Sequence, residues 1–195
     1  RDKLVTGVQT CALPICNGRA AAYRGVRRAV AHPEYVYSGA EKLDRVAWDV
    51  ALIELDQPIR LPSIVPFETD LRPGAGDEVG VVSYAQDRAD APSLQEVCHV
   101  MGQQPGVLVL SCSVDFGSSG APIFSVKDGV ARVVSVVSAK AEIEGQMVAL
   151  GTSLEAPLRD LRAELDRSDA VLHRKLPQVG GVEQTSSGGA KFVRP

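Results

Sequence analysis

Between residues 78 and 154 the chain breaks into six short runs: "EVGVVSYA", "LQEVCHVMG", "GVLVLSCSV", "APIFSV", "ARVVSVVSA" and "QMVALGTSL". Each is rich in β-branched residues, and the segments between them carry Gly, Pro or Asp. Runs this short cannot bury an apolar face alone, so they must pair side by side. Their spacing is that of short antiparallel strands, which close into a barrel or stack as a sandwich. "KDG" at 127–129 adds a hairpin signal between the fourth and fifth runs.

The flanks are sparser. Upstream, "AAYRGVRRAVAHPEY" (21–35) is β-tending, and "WDVALIELDQPI" (48–59) alternates into a Pro-containing stop. "LRPGAGDE" (71–78) carries no apolar face and reads as a linker. Downstream, "LEAPLRDLRAELD" sets Leu154, Leu158, Leu161 and Leu165 at helical spacing, a packing stripe that predicts a C-terminal helix over 154–167. Residues 168–195 turn Gly/Ser-rich without period and read as a disordered tail.

The first sixteen residues stand apart. "VTGVQTCALPI" resembles a translated short-read sequencing adapter, residues 12–15 back-translating to GCT-CTT-CCG-ATC. Residues 1–16 are therefore set aside as artefactual, with Cys16 straddling the junction. Without Arg1, Asp2 and Lys3, the 21 basic and 24 acidic groups become 19 and 23, a net charge of −4, and the cysteines fall from four to two. The gene is expected to have been cut upstream of residue 17, which removes any signal peptide from view.

What remains has an ordinary apolar fraction, 45%, enough for a core in 195 residues. No basic stripe is present to neutralise phosphates, which argues against nucleic acid. No run approaches the ~18 apolar residues of a membrane span. His32, His99 and His173 lie too far apart in sequence to suggest a metal site.

Chemistry is concentrated in "SCSVDFGSSGAPIF" (111–124). A serine hydroxyl attacks a carbonyl only where a base takes its proton and N–H donors meet the oxyanion. A glycine two residues ahead lets the backbone turn successive N–H groups into one concavity. "GSSGAP" (117–122) resembles the nucleophile loop of the trypsin-like, chymotrypsin-fold serine proteases, which reads Gly-x-Ser-Gly-x-Pro. "WDVALIEL" (48–55) is similar to the family strand that supplies the triad aspartate, and "AHPEY" (31–35) to its upstream structural turn. "DFGSSGAP" is closer to bacterial secreted and glutamyl-endopeptidase-like members than to digestive enzymes.

The resemblance covers residues 17–165 and implies an all-β fold of two six-stranded antiparallel barrels with a C-terminal helix. Residues 17–70 would form the C-terminal half of an incomplete first barrel and 77–153 the second. It implies Ser119 as nucleophile, Asp49 as the residue orienting the base, and the N–H groups of Gly117 and Ser119 as oxyanion hole. Ser113 and Ser138 would line the substrate pocket, with Ser138 also reaching toward Asp49. No metal or organic cofactor is implied; the partner is a protein or peptide substrate, and the chain is expected to be monomeric and secreted or periplasmic.

Two departures stand out. The Ala-Ala-His-Cys phrase that carries the family's histidine is missing, which fits the adapter having replaced that region; His32 lies in the structural turn and is not the base. The Trp-Gly that follows the pocket serine is replaced by Ala139-Lys140. Cys98 and Cys112 fall on consecutive strands, whose Cα atoms can come within the ~4.4–6.8 Å a disulfide requires, and a bridge is expected. A catalytically inactive relative serving as a binding module, or an all-β adhesion or carbohydrate-binding domain with "GSSG" as a mere turn, are the rival readings.

Overall fold

The computed structural model describes residues 22–36, 43–69, 73–84 and 91–167. The segment 1–16 read as an adapter remnant, the tail read over 168–195 and His173 lie outside the described residues.

The six runs become β4 (Glu78–Ser83), β5 (Ser93–Gln104), β6 (Val107–Leu110), β7 (Pro122–Lys127), β8 (Val130–Ile143) and β9 (Gln146–Ser153). They pair antiparallel in the order β8-β7-β4-β5-β6-β9, and β9 returns to β8, so the sheet closes into a six-stranded barrel. Closure removes the free edges that an open sheet of such apolar strands would expose. The inward faces follow the alternation in the sequence: Val79 and Val81, Cys98 and Val100, Leu108 and Leu110, Ile123, Val134, Val137 and Ala149 fill the interior.

Tight turns set the register. Asp128-Gly129 (φ 54° and 75°) and Glu144-Gly145 (φ 50° and 79°) both place two successive residues in the left-handed region. That is the turn which matches the twist of a two-residue hairpin. The stretch read as a linker is, over 73–77, a pinned turn: Asp77 Oδ2 accepts the Gly74 N–H at 2.8 Å, and the Gly76 N–H reaches Val100 O at 2.7 Å. Its Gly and Pro serve turn geometry at the barrel end.

Ahead of the barrel, β1 (Val26–Ala31) and β2 (Ala51–Leu55) form an antiparallel ribbon, with a helical turn α1 (Leu43–Val46) between them. β3 (Glu68–Thr69) adds itself parallel to β8. Among the described residues the structure shows one closed barrel and no second one; two strands supply too few partners to close. The expected C-terminal helix is α2 (Glu155–Arg167), packed on β1 and β2. Leu154 and Leu161 of its stripe are buried. The Arg28 guanidinium pairs with Glu54 and donates to Leu165 O at 3.0 Å, satisfying a carbonyl in the last turn of α2.

Candidate active site

The loop from 111 to 121 joins β6 to β7, and both of its ends are fixed. Cys112 is disulfide-bonded to Cys98 on β5, with the Cα atoms 5.0 Å apart. At the other end, the Gly120 N–H donates to Val137 O (2.7 Å) and the Val137 N–H to Ala121 O (2.9 Å), which extends the ladder onto β8. Inside the loop the Ser118 N–H donates to Asp115 O at 3.0 Å and the Ala121 N–H to Ser118 O at 3.0 Å. Ser118 is buried beneath, and Gly117 takes φ +88°, a conformation that side chains resist.

This arrangement leaves two N–H groups over. Among the described residues, those of Gly117 and Ser119 have no partner, while those of Ser118, Gly120 and Ala121 are all engaged. The Ser119 side chain is exposed. Two neighbouring donors beside a free hydroxyl suit a developing oxyanion.

Asp49 arrives from the other part of the chain. Val46 and Ala47, at the end of α1, are buried against Val107, Val148 and Leu150 on the barrel. Gly106 permits this approach, since a Cβ there would lie 2.5 Å from Ala47 Cβ. The Thr152 hydroxyl, fully buried on β9, donates to Val46 O at 2.6 Å and lies 3.3 Å from Asp49 O. The carboxylate so positioned accepts the Ser138 hydroxyl at Oδ2, 2.6 Å away, and among the described residues its second oxygen has no partner. Ser138 is the unpaired residue where the register of β8 against β9 shifts between Val137 and Ala139. A bulge of this kind re-aims a side chain.

Ser119 and Ser138 line one cavity of about 460 Å³, together with Asp115, Lys140, Arg45 and Met147. On the other side of Ser119 lies a second cavity of about 550 Å³, walled by Gly117, Tyr84, Pro122, Phe124 and Phe67. Ser119 is the residue the two share. Ser113 is not brought to either: it lines a small polar cavity with Ser83, Gln95 and Ser118 behind the loop. Its N–H there donates to Gln95 Oε1 at 2.8 Å.

Sequence reasoning missed Lys140 and Thr152 as site residues. Lys140 Nζ pairs with Asp115 Oδ1 at 2.9 Å and sits 4.3 Å from the Phe116 ring centre. Its signal was present, since Lys140 lies two positions beyond Ser138 in the same strand. Thr152 carried none, because its role depends on a loop docked from about a hundred residues upstream.

Neither described histidine joins the site. His32 is buried and stacked on Trp48, ring centres 4.6 Å apart. Its Nδ1 accepts the Glu34 N–H at 3.2 Å, and its Nε2 faces Asp160 of α2 at 3.9 Å. With Nδ1 accepting, the neutral ring carries its proton on Nε2. His99 is exposed on β5. Among the described residues no three or more His, Cys, Asp or Glu side chains gather as metal ligands, and no helix is long and apolar enough to cross a membrane.

No model of a protein family matches the chain. A comparison with curated proteins likewise finds no match.

Proposed function

We propose that the chain belongs to a serine endopeptidase of the trypsin-like, chymotrypsin-fold class. In this reading residues 17–70 are the back half of a first barrel, and the catalytic cleft runs between it and the closed barrel. Ser119 Oγ attacks the carbonyl carbon of a peptide bond while its proton passes to a histidine supplied by sequence ahead of residue 17. The carbonyl electron pair moves onto oxygen, where the N–H groups of Gly117 and Ser119 hold it. The intermediate collapses, the C–N bond breaks, and the histidine returns the proton to the departing amine. Water then repeats the cycle on the acyl-enzyme. Asp49 orients the histidine with the carboxylate oxygen that Ser138 leaves open.

The observation that carries the reading is the Ser138–Asp49 hydrogen bond beside Ser119, in a cavity that both serines line. The disulfide supports a secreted or periplasmic setting, where such bonds persist. A second reading, an inactive relative acting as a binding module, draws on the lack of a described histidine at Asp49. Labelling the full-length protein with a fluorophosphonate decides between them. The endopeptidase reading expects one label, lost on Ser119→Ala; an intact, folded protein that takes no label is not a serine hydrolase.

A further inference from the structure

We propose that the apolar groove leading away from Ser119 over the outer face of the barrel binds an extended polypeptide. That polypeptide carries bulky apolar side chains next to Ser119 and a basic residue about five positions further along. The inference deepens the endopeptidase reading by naming its substrate class, and rests on it.

The groove starts at the reacting centre itself. Its first section holds Gly117 and Ser119 at one end and Phe67, Val82 and Phe124 at the other. Those last three residues also line a second section of about 460 Å³, which runs past Leu94 beside Val82 and Glu96 beside Gly80 to Val126 and Glu78. Phe67 and Phe124 meet edge to face at 4.9 Å and form the wall common to both. Phe67 and Leu94 are each 59% exposed and Val126 65%, so the apolar surface is turned to solvent rather than spent on the core. A contiguous exposed apolar patch of this kind marks a surface that takes a partner.

Length and charge say what the partner is. The groove follows β4 from Ser83 back to Glu78, which at ~3.3 Å per residue is about 16 Å, or some five residues of extended chain. An extended peptide threaded past Ser119 has that form already. Apolar walls dominate near Ser119; the Glu96 carboxylate stands midway, on the strand beside Gly80, and that of Glu78 at the far end. Among the described residues no cation pairs with Glu78 or Glu96. A basic side chain arriving there meets unneutralised charge.

The test is fluorescence anisotropy of labelled alanine-based peptides titrated with the chain itself. One peptide carries Phe near one end and Lys five positions on; its counterparts replace Phe by Ser or Lys by Glu, and each is made in both sequence orders. Burial of one aromatic ring predicts that the Phe peptide binds about tenfold tighter or more than the Ser peptide. Exposed charges predict about a threefold preference for Lys over Glu. Phe67→Ser and, separately, Leu94→Ser erase the first preference; Glu78→Lys with Glu96→Lys reverses the second.

Equal affinities across the peptides, or a Phe preference that survives both serine substitutions, overturn the proposal. So does a dimer in sedimentation velocity that Phe67→Ser dissolves, since a second copy then fills the groove. The outcome separates from that of the labelling experiment. Peptide preference without labelling sinks only the catalysis, and labelling without preference sinks only the groove.

Discussion

Ser138, at the bulge in β8, donates its hydroxyl to Asp49 Oδ2 across 2.6 Å, joining residues 89 positions apart. Both side chains are half-buried, so the bond is partly shielded from water. A hydrogen bond to a charged acceptor contributes about 1.5–3 kcal/mol when well shielded. Allowing for exposure, Ser138→Ala is expected to cost about 1–2 kcal/mol in urea denaturation. The decisive quantity is the double-mutant cycle with Asp49→Asn. A coupling near 1 kcal/mol identifies the pair as energetically linked. Strict additivity of the two substitutions means the contact contributes nothing.

The loop that carries Asp49 depends on Thr152. Thr152→Val keeps the shape but removes the donor to Val46 O, and that oxygen has only the Asp49 N–H at 3.3 Å to fall back on. The expected loss is about 1–2 kcal/mol. Thr152→Ser keeps the hydroxyl and should recover most of it. If serine and valine are equally destabilising, the hydroxyl is not what holds the loop.

The disulfide closes a short loop of sequence separation 14. Cross-linking a loop of ~15 residues lowers the entropy of the unfolded chain enough to contribute about 3 kcal/mol. Dithiothreitol, or Cys98→Ala with Cys112→Ala, should lower the denaturation midpoint accordingly. An unchanged midpoint after verified reduction would show that the bridge does not stabilise the barrel.

The parts of the molecule legible in the sequence are those set by local periodicity. Val79 and Val81 point inward because strand side chains alternate, and Leu154 and Leu161 are buried because helical ones recur every three to four residues. The Cys98–Cys112 bridge followed from two strands joined by one turn. What could not be read is whatever depends on closure and register. The order β8-β7-β4-β5-β6-β9 leaves no local trace, and neither does the single-residue shift that singles out Ser138. Ser113 shows the cost: the resemblance put it in the substrate pocket, whereas it lines the polar cavity behind the loop, its N–H on Gln95. The two-residue turn at Glu144-Gly145 was passed over because glutamate is a poor signal for a left-handed position.

That last turn is improvable. Glu144 holds φ 50°, where a residue with a Cβ is strained by ~1–2 kcal/mol and asparagine by less. Glu144→Asn creates the favoured Asn-Gly pair for this hairpin and should raise stability by about 0.5–1 kcal/mol. A lower melting temperature for this variant would mean that the β8–β9 hairpin does not hold that turn in solution.

His32 offers the sharpest check on the proposal that a catalytic base reaches Asp49 from outside the described residues. It is the histidine nearest Asp49 in sequence among the described residues, and its backbone N–H bonds to Val50 O at 3.1 Å, one residue beyond. Its ring nevertheless turns away, onto Trp48 and toward Asp160, with Nδ1 committed to the Glu34 N–H. Glutamine at this position can accept the same N–H through its amide oxygen and fill much of the same space. His32→Gln in the full-length protein should therefore lose some stability through the weakened stack on Trp48, yet still take the fluorophosphonate label at Ser119. The pH dependence of the labelling rate should stay where it was. If a folded His32→Gln variant loses the label, or if its pH profile loses the ionisation of the base, then His32 is the proton acceptor and the ring must swing from α2 to Asp49 in the working enzyme.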